Sequence, residues 1–185
     1  LTSHARGLVY PINSAVTPEP VEVELAELDT ERDPLRLEGW SGLLHVANYV
    51  SGGQQSGYVI EQSLGPSEGD DFLHPPPANA NDPSDGFAQV NLYHHLTEQR
   101  AFFTSLGVDQ TAASWELTAV ANVREGGQPL DNAFFSPEGI NVAGTDLDAP
   151  NFIGMGQGAI DFSYDSDVSK HEFGHYVSHN AVDRK

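Results

Sequence analysis

Asp165-Ser166-Asp167-Val168-Ser169-Lys170-His171-Glu172-Phe173-Gly174-His175-Tyr176-Val177-Ser178-His179 is the stretch from which the rest of the chain is read. Its acidic start suits a helix N-terminus, and the spacing predicts one helix over 165–182. On a helix, residues four apart stack on one face, so the imidazoles of His171 and His175 can meet a single zinc ion. Glu172 projects about 100° round from His171, a poor direction for a ligand but a good one for reaching a metal-coordinated water as general base. Gly174 costs helix stability and points to close approach of another backbone segment.

Two extensions of the pattern fail. A metzincin continuation needs Gly at position 178 and His at 181, where this chain has Ser178 and Ala181. Ligation of the same ion by His179 is strained, because its Cα lies about 6 Å further along the helix axis than that of His175. Asp183 is the only acid after His175. A carboxylate is the usual third ligand, so the site reads as incomplete in this chain.

Composition bounds the alternatives. The 185 residues carry 8 Lys/Arg against 27 Asp/Glu, a formal charge of −19, which repels phosphate backbones and anionic membrane surfaces alike. Nucleic acid and membrane are excluded as expected partners. Zero cysteines remove disulfides, thiol catalysis and Cys-based zinc sites. No run approaches 18 apolar residues, and no secretory leader is visible. A start at Leu1 suggests processing, and with the acidic, Cys-free composition it leans towards a secreted protein.

Upstream of the helix the pattern divides into a β-rich region, 1–85, and a mixed region, 86–185. Val21, Val23 and Leu25 alternate with polar partners as a half-buried strand does. Segments 35–37 and 43–50 are further strands, 51–57 is a turn, and 58–60 returns as a partner. Segment 65–85 is a long acidic connection, read as a solvated loop in preference to a calcium loop. Residues 85–107 read as a helix capped by Ser84 or Asp85 and ended by Gly107, with Leu92, Leu96, Phe103 and Leu106 on one face. The adjacent His94 and His95 point about 100° apart and are not expected to chelate one ion together. A strand over 113–125 alternates Trp115, Leu117, Ala119, Ala121 and Val123 with polar positions and turns at Gly126-Gly127. Short extended pieces follow at 133–135, 140–142 and 152–155.

At these residues the chain resembles the thermolysin-like and fungalysin-like zinc metallopeptidases, the gluzincins. The resemblance covers about residues 86–182 in one collinear order. It runs through the helix Gly86-Phe87-Ala88-Gln89-Val90-Asn91-Leu92-Tyr93-His94-His95 and the edge strand Asp131-Asn132-Ala133-Phe134-Phe135. It continues through Phe152-Ile153-Gly154-Met155-Gly156-Gln157-Gly158 and the approach to the HExxH helix from Asp161.

That resemblance implies His171 and His175 as zinc ligands, Glu172 as the base, and Asn132 and Ala133 as contacts to an extended peptide substrate. It implies calcium at Asp167, where a helix-capping acid is an equal reading. It also implies a third ligand, Glu, and a transition-state-stabilising His on an α-helical lobe beyond this chain, hence a second polypeptide carrying that lobe.

The expected fold is α+β. It is a mostly antiparallel, twisted sheet lobe with one long packing helix and a C-terminal active-site helix, the N-terminal half of a zincin-like domain. That helix is expected to expose Val168, Phe173, Val177 and Val182 to the missing lobe. The expected activity is zinc-dependent endopeptidase. The competing readings are a non-catalytic fragment or binding module, and a calcium-stabilised structural domain.

Overall fold

The computed structural model describes residues 4–53, 56–110, 115–138 and 150–182. A two-stranded antiparallel sheet pairs β1 (Arg6–Val9) with β2 (Val21–Glu24). The main sheet has seven strands: β3 (Glu38–Gly39), β4 (Leu44–Gly53), β5 (Gly57–Gln62), β6 (Leu117–Glu125), β7 (Gln128–Pro129), β8 (Ala133–Ser136) and β9 (Phe152–Gly156). Its order is β3-β4-β6-β9-β8, with β5 beside β4 and β7 beside β6. The described residues also form two α-helices, α1 (Gly86–Ser105) and α2 (Ser166–Val182), and a short 3-10 turn at Phe162–Tyr164.

The α+β class holds, but the sheet is mixed. Its three central strands, β4, β6 and β9, run parallel, and antiparallel pairing is confined to β3, β5, β7 and β8 around them. Parallel neighbours need long crossovers, and the connection carrying α1 supplies one between β4 and β6. The sheet is accordingly buried on both faces. In β6, Leu117, Ala119 and Ala121 face the helices, while Val120 and Val123 face a second cluster built from Tyr49, Tyr58, Ile60 and Phe152. The positions read from alternation as polar-facing are therefore interior: Thr118, Val120 and Asn122 are all at most 3 % exposed.

Several local readings hold. Asp85 caps α1, its side chain accepting from the Ala88 N–H, and Gly107 sits at φ +84° just past the helix. Gly126 and Gly127, both at positive φ, join β6 to β7 in a two-residue hairpin turn. Segment 35–37 forms no strand; the β3 pairing lies one residue later, at Glu38–Gly39. Segment 140–142 lies outside the described residues, as does Asp183. Leu106 is the C-cap of α1 and is 63 % exposed, although Leu92 and Leu96 of the same stripe are fully buried. The first two turns of α1, Gly86–Tyr93, are buried on every side because the sheet, β1 and α2 all pack on them.

The apolar face of α2 is covered within the chain. Phe173 is fully buried against Trp40, Phe103 and Tyr176, with ring centroids 5.0–6.0 Å away, and Val177 is 6 % exposed. Tyr176 donates its hydroxyl to the Trp115 carbonyl, and Asn180 donates to Asn151 Oδ1 at 3.1 Å. The expectation that these residues await a further lobe is corrected. Val168 also packs on this core, and only Val182, 67 % exposed, stands out. Gly174 has open space where a Cβ would go, so close approach of another segment does not explain it.

Candidate metal centre

The site begins at the entry to α2. Asp165 accepts from the Asp167 N–H at 2.9 Å, and the Ser166 N–H donates to the Ile12 carbonyl at 2.8 Å. Those bonds satisfy first-turn donors and pin the helix to the N-terminal segment. Asp167 is an exposed first-turn acid, and the side chain that accepts a bond at the helix start is that of Asp165. It joins no cluster of three ligand-type side chains among the described residues, and neither do the acids of 65–85.

With Phe173, Tyr176 and Asn180 turned inward, the 3.6-residue period leaves His171 and His175 on the solvent face. Their Nε2 atoms lie 3.1 Å apart, with ring planes at 86°. Two nitrogens on one tetrahedral zinc are roughly 3.3–3.4 Å apart, from Zn–N bonds of about 2.0–2.1 Å. The pair is thus set at nearly the spacing one ion requires. Glu172 falls between this open face and the buried one and is 7 % exposed. The donor chemistry fits zinc: two imidazoles plus a neighbouring carboxylate placed off the pair. Among the described residues, no third His, Cys, Asp or Glu forms a group of three with the two histidines. His179 turns instead to the ring of Phe135, with centroids 6.1 Å apart.

That Phe135 belongs to β8, the last strand in the sheet order, which pairs only with β9 among the described residues. Tyr176 packs on the same ring at 6.2 Å, so the strand runs alongside α2. Ala133 is half-buried on the core, and Asn132 is exposed just before the strand, its carbonyl accepting from the Gly156 N–H at 3.1 Å. Asn132 also lines a cavity of about 280 Å³ with Tyr58, Glu125, Leu130, Phe134 and Phe135. The structure therefore sets β8 beside the C-terminal half of α2 through Phe135, while the cavity at Asn132 is lined by Tyr58 and Phe134 of the second apolar cluster.

Two groups escaped the sequence reading. The first is a buried acid pair behind α2. Asp85 accepts from the Tyr164 hydroxyl at 2.5 Å, while Asp161 accepts from the Ser163 N–H at 2.9 Å and from Gln157 Nε2 at 3.2 Å. Burial, and then the Asp85 charge, push the Asp161 carboxyl up to about 7. Burial also raises Asp85. Nothing local in the sequence marks these two acids as neighbours, 76 residues apart.

The second group is on α1. Glu98 brings His94 and His95 into one cluster, with ligand atoms of all three within 4.8 Å of one another. The sequence reading considered the two histidines as a pair and did not include Glu98. The available signal was the pair of spacings, His94 to Glu98 at i,i+4 and His95 to Glu98 at i,i+3. Among the described residues, no helix is long and apolar enough to cross a membrane. Compared with known proteins, the chain matches no family model, no curated protein and no solved structure.

Proposed function

We propose that this chain is the HExxH-bearing part of a zinc-dependent endopeptidase. The observation that carries the reading is the 3.1 Å separation of His171 and His175 Nε2 on an open helix face, with Glu172 on its flank. His171 and His175 would hold the ion. A bound zinc there supplies Lewis acidity to a carbonyl oxygen and lowers the pKa of a coordinated water. Glu172 accepts the proton of the attacking water and passes it to the leaving amine. The edge of β8 that has no partner strand among the described residues accepts an extended peptide as an added strand, with Asn132 and Ala133 as its first contacts and the cavity beside Phe134 for a side chain. The remaining ligand and the transition-state-stabilising group come from a further helical lobe, and the protein acts outside the cell.

A second reading is a non-catalytic binding module. It is favoured by one observation, the want of a third ligand beside His171 and His175 among the described residues. The readings separate on zinc content and on one variant. One equivalent of zinc lost in His171→Ala, with hydrolysis of a peptide substrate abolished in Glu172→Gln while zinc stays bound, is the expected result. Full hydrolysis by Glu172→Gln removes the mechanism. A folded protein that takes up no zinc through His171 leaves the binding module. Intact mass of the protein as isolated tests the further lobe, which fails if no companion chain or continuation accompanies residues 1–185.

A further inference from the structure

The histidines of α1 pose a separate problem. His95 is completely buried, and neither of its ring nitrogens has a hydrogen-bond partner. A buried polar atom left without a partner is costly, so something of the right chemistry is expected beside it. The side chain that faces it is Glu98, whose Oε2 lies 3.9 Å from His95 Nδ1, while its Oε1 lies 3.6 Å from His94 Nε2. Both distances are too long for a hydrogen bond. They run to the two different oxygens of one carboxylate, and one ligand atom from each of the three residues lies within 4.8 Å of the others, a little wider than the separation of about 3.4 Å between atoms that share a tetrahedral ion.

Helix geometry explains how adjacent histidines reach a common point. Taking His94 as zero, His95 sits at about 100° and Glu98 at about 40°, one turn further on. Helical side chains lean towards the N-terminus, so the carboxylate drops back between the two rings. The carboxylate is half exposed, which leaves a route from solvent.

We propose that His94, His95 and Glu98 form a second metal site, distinct from His171 and His175, that takes a divalent transition ion such as zinc or cobalt. Two imidazoles and one carboxylate suit these ions over calcium or magnesium, which favour all-oxygen shells. Lys170 of α2 opposes a cation here, since its charge acts on both His94 and Glu98. That makes it the residue whose removal strengthens the site.

The test is zinc and cobalt titration of the intact protein by calorimetry and by cobalt absorption, with circular dichroism as the check on folding. The expected result is an equivalent of metal that survives His171→Ala/His175→Ala and is weakened in Glu98→Gln by at least the ~10–100-fold that loss of even an outer partner costs. Lys170→Met tightens the same equivalent. The result that overturns the proposal is metal uptake unchanged by Glu98→Gln and Lys170→Met, or abolished by His171→Ala/His175→Ala alone. Should His171 and His175 bind nothing, a single equivalent sensitive only to Glu98→Gln still upholds this site, so the two proposals fail separately.

Discussion

Replacing Asp161 by Asn removes the pH dependence of stability that this buried acid imposes. Asp161 is 3 % exposed at the approach to α2 and is held up to about 7 by burial first and by Asp85 second. In the unfolded chain an aspartate titrates near 3.9. The folded state therefore binds the proton more tightly, and stability falls as pH rises through the window from about 4 to about 7. A little over three decades in proton affinity corresponds to roughly 4 kcal/mol, an upper figure for this one group. That is a large share of the ~5–15 kcal/mol that holds a typical domain. Asn keeps the shape and an oxygen for the Ser163 N–H but cannot ionise. Urea unfolding at pH 4.5, 6.0, 7.5 and 8.5 reads the effect. The variant is expected to gain on the wild type with each step up to about pH 7.5 and then hold its lead. A wild-type-minus-variant difference that is flat across the range, or that favours the wild type more as pH rises, refutes the reasoning.

Phe173→Ala removes a fully buried ring packed on Trp40, Phe103 and Tyr176, and is expected to cost about 3–5 kcal/mol in chemical denaturation. A cost under about 1 kcal/mol would mean that α2 does not seal its own core. Two glycines separate backbone need from mere presence. Gly156→Ala puts a Cβ 1.9 Å from the Leu130 carbonyl oxygen, so it is expected to abolish folded protein or break the β8–β9 pairing, read by circular dichroism and yield. Gly174→Ala meets no atom within 4 Å and lies inside α2, so it is expected to raise stability by about 0.5–1 kcal/mol.

Much of the local structure was legible because its causes are local. Asp85 as a cap, Gly107 beyond the end of α1, the Gly126-Gly127 turn and the helix of 166–182 each depend on residues within one or two turns of one another. The same holds for the meeting of His171 and His175, since i,i+4 geometry alone aligns them. Burial was less legible. Alternation in 113–125 suggested one dry face, but Tyr49, Tyr58 and Phe152 cover the other, and those contacts join parts of the chain far apart. The Asn122 backbone at φ +64° belongs to this class. Its side chain donates to Asn48 Oδ1 at 2.7 Å and to the Asp85 carbonyl at 3.1 Å, holding an otherwise strained residue in a buried polar network.

The sequence by itself determined the two helices, the hairpin turns and the alignment of His171 with His175, because dihedral preference and helical period act over a handful of residues. Only the tertiary structure decided that the central strands run parallel, that Phe173 and Val177 seal against this chain's own sheet, and that Asp161 meets Asp85 in the interior. Those outcomes depend on which distant segments share a dry space, and in that space desolvation sets the protonation of Asp161 and leaves His95 with nitrogens in need of a partner.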